Sequence, residues 1–277
     1  MGTAGFMLVG AYGSGLLSIN LGLSVWLSML LGGLMSALVA FILGTAIIRT
    51  RGVYFSILTL LTSEIFRLTM WYWKSMSGGP AGLRNIPSPN SVNILGMITI
   101  AFEDKIPNYY VILVIVILSL IILYRFERSL GLTWMAVKRS GVLSESIGIG
   151  VFNHKLIAFV IGCFFSGIAG ALFAHYMGII ETSETGKFGA LASIYTIIYM
   201  VVGGEASFAG PILGAGILTI MPELFRPLKE YQPIIFGVLV IFIMFFMRQG
   251  LISFPYHLRL GWIRVGEFLR KFGLEKV

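Results

Sequence analysis

Charge is scarce in this chain. Only 12% of its 277 residues are Asp, Glu, Lys or Arg, 57% are hydrophobic, and the mean hydropathy is +0.92. Soluble domains carry about 25% charged residues, so this chain cannot cover a water-facing surface of its size, and the same composition excludes disorder. Its one cysteine, Cys163, excludes an internal disulfide framework. Three scattered histidines (His154, His175, His257), with no HExxH or CxxC spacing, leave no metal-ligand set. No GxxxxGK followed by Ser or Thr is present, so nothing cradles ATP phosphates and energy for any work must come from elsewhere. With 34 glycines the chain is no coiled coil. A polytopic membrane protein remains.

Apolar runs of the required length are there. A spanning helix needs roughly 20 mostly apolar residues. The runs fall at 22–48, 53–73, 109–124, 156–178, 189–203, 211–224 and 233–247, with a shorter one at 5–19. They are continuously apolar, which excludes the alternating strands of a membrane β-barrel. The expected fold is an all-α, polytopic bundle of about eight spans over residues 1–252, followed by a tail at 253–277.

Basic residues set the orientation, because Lys and Arg gather in short cytoplasmic loops. Threading eight spans puts Arg49 and Arg51, then Arg125, Arg128, Lys138, Arg139 and Lys155, then Arg248 and the five basic tail residues on one side, which holds 13 of the 20. That side is read as cytoplasmic. The net charge of +8 is therefore a topology signal and not a sign of nucleic-acid binding. The tail carries Leu258, Trp262, Val265, Phe268 and Leu269 among Arg259, Arg264, Arg270 and Lys271, the pattern of a basic amphipathic helix on the inner leaflet and so in contact with membrane lipid.

Small residues recur at four-residue spacing: Gly10 with Ser14, Gly32 with Ser36, Ala40 with Gly44, Gly162 with Ser166, Gly170 with Ala174, and Gly210 with Gly214. Such faces let helix backbones approach closely in lipid. A closely crossing helix is expected at the dense cluster 162–171. Two longer connections stand out: a turn-rich outer loop at 75–107, and a cytoplasmic linker at 126–154 whose middle, 131–147, reads as one amphipathic helix with Trp134, Val137, Leu143 and Ile147 apolar and Lys138, Arg139 and Glu145 charged. His175 reads as an amphipathic anchor at the membrane interface.

Glu64 and Arg67 are the only charges near the middle of an expected span, where charge is costly and points to function. Two readings stand open. At i and i+3 they neutralise each other, or their helix face, with Ser56, Thr59 and Ser63, lines a polar translocation path.

Four segments in order resemble the inner-membrane permeases of branched-chain amino-acid ABC importers, of the LivM type. They are Gly5 to Tyr12, ending in Gly-Ala-Tyr; Arg51-Gly-Val-Tyr-Phe55 with Thr59 and Glu64, followed by Ser77-Gly78-Gly79-Pro-Ala-Gly82-Leu83; Trp134 to Lys138 with Glu145 to Ile149; and Val202-Gly203-Gly204 through Gly210-Pro211. Ser77 stands where the family has Thr, Ala206 where it has Gly, and Arg139 and Gly141 where acidic residues are usual. The resemblance implies a type II importer fold and a permease without enzymatic activity or cofactor. It would import hydrophobic amino acids across a bacterial or archaeal plasma membrane. Its expected partners are a second, LivH-like permease, two cytoplasmic ATP-binding subunits and a periplasmic substrate-binding protein. Trp134, Val137, Lys138, Arg139, Glu145 and Gly148 would then couple to the ATPases, and Gly78, Gly79, Gly82, Gly203, Gly204 and Gly210 would shape structural turns. Urea and amide permeases share much of this pattern. An ion-coupled transporter or a membrane enzyme has only Glu64, or Glu181 and Glu184, to work with. The family carries helices before the Gly-Ala-Tyr motif, so further helices are expected upstream, and the face of Gly10 and Ser14 is expected to be an open groove in this chain.

Overall fold

The computed structural model describes residues 2–50, 52–89, 92–94, 98–100, 105–183, 186–205 and 207–224, with isolated positions between 231 and 245. Apart from those isolated positions, the expected span at 233–247 lies outside the described residues, and so does the whole tail at 253–277. The chain divides into two compact units, residues 1–193 and 194–277, taken separately below.

The first unit is built on α1 (Thr3–Leu21), α2 (Val25–Ile47), α3 (Val53–Tyr72), α5 (Lys105–Arg139) and α7 (Val151–Met177). All five are long and apolar enough to cross a membrane. Short pieces connect them: α4 (Lys74–Ser77), a 3-10 turn at Gly79–Ala81, α6 (Gly141–Ser146), and strands β1 (Leu83–Arg84), β2 (Val92–Ile94), β3 (Ile98–Ile100) and β4 (Ile179–Ile180). β1 pairs antiparallel with β4, Leu83 opposite Ile180, and β2 with β3. Left-handed glycines, Gly22 and Gly178, end α1 and α7.

The hydrophobic effect does not drive helices together in lipid, so close packing has to. α1 sits at the centre, against α2, α3 and α7. Gly10 is the crossing point: a Cβ there would lie 2.2 Å from the Gly167 carbonyl oxygen of α7. On α2, a Cβ at Gly32 would lie 2.6 Å from the Gly10 carbonyl oxygen. The face of Gly10 and Ser14 is thus filled by this chain's own α2 and α7, which corrects the expected open groove. The α7 cluster does pack closely, through Cys163, Gly167, Gly170 and Ala174, all buried. Its Gly162–Ser166 pair points elsewhere, with nothing among the described residues within 4 Å of a Cβ at Gly162. Phe6 of α1 stacks edge-on with Phe66 and Phe159 at 5.8 and 5.4 Å, below the Ala40–Cys163 contact.

Two ends of this unit can be told apart. Leu156 and Phe159 of α7 meet Gly44 of α2, so the end of α2, the start of α3 and the start of α7 share one end. Leu83, Ile86 and Ile180 cover the far half of α1 around Leu8, Ala11 and Tyr12. The grouping of loops inferred from charge is therefore met within this unit.

α5 differs from its expected form. The span at 109–124 and the first half of the amphipathic linker are one unbroken helix of 35 residues, Lys105–Arg139. At about 1.5 Å per residue it is roughly 50 Å long, well beyond a hydrocarbon core of about 30 Å.

The second unit holds most of α8 (Ala190–Gly203) and α9 (Ala209–Leu224), 14 and 16 residues long. Both are shorter than a simple span. They form a tight hairpin because Gly203, Gly210 and Gly214 carry no Cβ: one at Gly203 would meet the Gly210 carbonyl oxygen at 1.9 Å, and one at Gly214 the Tyr199 carbonyl oxygen at 2.0 Å. Val202 and Leu218 bury against each other beside Ile198 and Tyr199.

Candidate functional site

On α3, Thr59, Ser63 and Arg67 fall at successive i+4 positions and are all buried. The stripe exists, but it faces α1: a Cβ at Gly2 would lie 2.0 Å from the Thr59 carbonyl oxygen, and one at Gly5 2.4 Å from the Ser63 Cα. α1 closes the polar stripe, so Thr59 and Ser63 do not line an open path as first read. Among the described residues the buried Ser63 hydroxyl has no hydrogen-bond partner, and Thr59 donates back to the Ser56 carbonyl at 2.9 Å, with Ser56 half-buried.

Glu64 stands apart from that stripe. Arg67 donates from Nε at 2.9 Å and also from Nη2, both to the same oxygen, Oε1. From Nη1 it reaches the Thr182 carbonyl at 3.1 Å, beyond α7. The Arg67 side chain is 8% exposed and the Glu64 side chain 28%. The neutral pair expected from the i, i+3 spacing is formed, and the carboxylate is its outward member.

Behind Arg67 lies a plate of loops at the far end of α1. Thr182 donates to the Gly79 carbonyl at 3.3 Å. Ser77 donates to the Trp73 carbonyl at 2.8 Å and to that of Met70, and accepts from the Gly79 amide at 3.1 Å. Gly82 carries φ +70, and a Cβ there would lie 2.0 Å from the Ile180 carbonyl oxygen, so only glycine allows the β1–β4 pairing. Gly78 and Gly79, also at positive φ, bend the same turn. His175 is fully buried here and is not an interfacial anchor. Its Nδ1 is 2.7 Å from the Pro87 carbonyl oxygen and its Nε2 is 2.7 Å from Ser14 Oγ. A carbonyl only accepts, so Nδ1 carries the proton and, in the neutral ring, Nε2 accepts from the Ser14 hydroxyl. Thr182 was missed from the sequence, and Ser14 and His175 were read as a packing residue and an interfacial anchor, not as members of a buried network. The partners of this network lie 88 to 161 residues apart, and no local spacing announces them.

At the opposite end, α5 stops at Arg139. Ser140 then caps α6, accepting from the Leu143 amide at 3.2 Å, and Gly148, at φ +85, turns the chain into α7. The linker is thus two helices, because the Ser140 backbone leaves the helical region (φ −156, ψ 106). Val137 is turned inward at 8% exposure, and the Trp134 indole nitrogen is buried. Leu132 (84%), Met135, Val142, Leu143 and Ile147 are the exposed apolar residues, with Lys138, Arg139 and Glu145 exposed beside them. Of the expected apolar face, Leu143 and Ile147 are outward while Val137 turns in, since the break at Ser140 resets the helical phase. Among the glycines of the fourth motif, Gly203 and Gly210 make the α8–α9 crossing and Gly204 takes φ +113 between them.

No group of three or more His, Cys, Asp or Glu that could hold a metal ion occurs among the described residues. Residues 1–247 match a family model described as "Branched-chain amino acid transport system / permease component". The high-affinity branched-chain amino acid transport system permease protein LivM of Salmonella typhimurium is 33% identical over 270 residues, 91% of this chain and 63% of that protein. LivH of Escherichia coli K12, a permease protein of the same system, is 25% identical over 53% of this chain and 46% of its own length. The guanosine ABC transporter permease protein NupQ of Bacillus subtilis 168 is 26% identical over 83% of this chain and 76% of its own. No solved structure matches.

Proposed function

The chain belongs to the permease family of branched-chain amino acid transport systems, and on that premise we propose that it is the membrane-spanning subunit of an ABC importer for branched-chain amino acids. The chain spans 63% of the length of the LivM protein it matches, so activity and partners are carried over as part of this reading. Identity is higher to LivM, at 33%, than to the guanosine permease, at 26%, which favours amino acids as cargo.

The observation that carries the mechanism is α5. It crosses the hydrocarbon core and continues as a rigid rod without a break to Arg139, where Ser140 turns the chain into the separate α6, with Val142, Leu143 and Ile147 exposed. Driving a permease from outside the membrane needs a stiff element that moves as a unit. In this reading the ATPases grip α6, and α5 carries their motion into the bundle. The end bearing Arg49, Arg125, Arg128, Lys138 and Arg139 is then cytoplasmic, and the plate around Ser77–Leu83 and Thr182 faces the binding protein. A second permease, two ATP-binding subunits and a substrate-binding protein complete the importer, in the inner membrane. Residues 1–252 form the permease domain and 253–277 lie on the inner leaflet.

The test is purification with the neighbouring gene products into proteoliposomes. ATP-dependent uptake of labelled leucine, stimulated by a leucine-loaded binding protein, is expected. Uptake of guanosine or urea in its place would move the chain to another branch of the same transporters.

A further inference from the structure

We infer that the Glu64 carboxylate recognises the protonated amine of the transported amino acid. The inference rests on the amino-acid reading above and names a residue for it. A carboxylate paired with an arginine frequently takes it on both oxygens, in the parallel fork that gives the strongest pair. Here both Arg67 donors converge on Oε1, and among the described residues nothing donates to Oε2. The free oxygen belongs to the more exposed partner, 28% against 8%. Arg67 is itself held from behind by the Thr182 carbonyl, and Thr182 by Gly79, so the carboxylate is fixed in place before any ligand arrives. Around it on α3, Ile57, Leu61 and Leu68 are exposed and apolar. The polar stripe of Thr59 and Ser63 is turned away beneath α1 and offers no competing partner.

An open carboxylate oxygen inside a membrane span is costly unless a cation or a hydrogen-bond donor meets it. The chemistry that fits is an ammonium with an apolar side chain beside it: the charge on Oε2, the side chain on the leucines and isoleucine of the same face. Arg67 already neutralises the pair, so the free Oε2 takes a single ammonium group, whose charge the amino acid's own carboxylate balances. A urea or a nucleoside offers neutral N–H donors, which gain less from a charged acceptor.

The experiment uses the assembled importer in nanodiscs and equilibrium binding of labelled leucine. Unlabelled 3-methylbutylamine, which keeps the amine, and 4-methylpentanoate, which keeps the carboxylate, serve as competitors. The amine should displace leucine and the acid should not. Glu64→Gln should weaken leucine binding by about tenfold or more, the value of a charge-assisted over a neutral hydrogen bond, and Glu64→Asp should restore part of it. Displacement by the acid alone overturns the inference, and that comparison needs only the wild-type protein. So does unchanged leucine affinity in Glu64→Gln, or a Glu64→Gln importer that is recovered poorly but binds normally, which would assign the carboxylate to a neighbouring helix. A wild-type importer that transports leucine yet binds neither leucine nor the amine overturns it too. Binding of guanosine or urea without leucine would instead overturn the amino-acid reading, and this inference with it.

Discussion

Single atoms decide how the first unit packs. A Cβ at Gly170 would lie 1.8 Å from the Met7 carbonyl oxygen, a backbone atom that cannot swing aside. Overpacking costs about 1–3 kcal/mol where side chains can give, so Gly170→Val should cost at least that. Ser36 of α2 makes two interhelical bonds, to the Phe6 and Cys163 carbonyls at 3.0 and 2.8 Å. Hydrogen bonds between membrane helices average only about 0.6 kcal/mol, so Ser36→Ala should be mild. Unfolding of the detergent-solubilised protein should rank Gly170→Val far below Ser36→Ala, and the reverse order would mean that polar bonds, not contact, hold α1 in place. The small-residue spacing that marks Gly10, Gly32, Ser36 and Gly170 is legible in the sequence. Which face of a dense cluster is used is not, and Gly162–Ser166 shows it: the spacing is as good there, but none of the described residues comes close.

At the level of elements, the lever is the most consequential departure from the sequence reading. Apolar patterning marks 131–147 as a helix but does not place its inward and outward faces, because the phase depends on whether the helix is continuous with the span before it. α5 is continuous, so Val137 turns in, and α6 restarts at Ser140 with Val142 and Leu143 out. Accordingly Val142→Asp with Leu143→Asp should release the ATPases from an otherwise intact permease, read as lost co-purification at normal membrane yield. Trp134→Ala with Val137→Asp should instead lower the yield of the permease itself. Stiffness makes a separate prediction. Ser129→Pro breaks the rod within α5 at about 3 kcal/mol, so ATPase association should persist while leucine uptake falls by about tenfold. Wild-type uptake in that variant would show that α5 transmits nothing.

For the molecule as a whole, orientation follows from charge and can be read with thiols. In a Cys163→Ser background, a cysteine at exposed Ser88 should label from outside the cell, and one at exposed Ser146 should label only after the membrane is opened. The inverted pattern would reverse the cytoplasmic assignment and put α6 out of reach of any ATPase. Native Cys163, at 6% exposure between α1 and α2, should stay unlabelled throughout.

Composition, hydropathy and charge alone pointed to a membrane protein of long apolar helices and, within the first unit, to which loops share an end, because those properties are sums over residues and need no partner. The neutral pair of Glu64 and Arg67 was also legible, since i and i+3 on one helix meet whatever surrounds them. The tertiary structure alone decided that Thr59 and Ser63 lie under α1 while Glu64 turns out, that His175 joins Ser14 to Pro87, and that Arg67 reaches Thr182. Each of those depends on which helix crosses which, and in lipid that choice is made by shape: a missing Cβ at Gly5 or Gly10 admits a neighbouring backbone, and the polar groups find their partners only after the backbones have met.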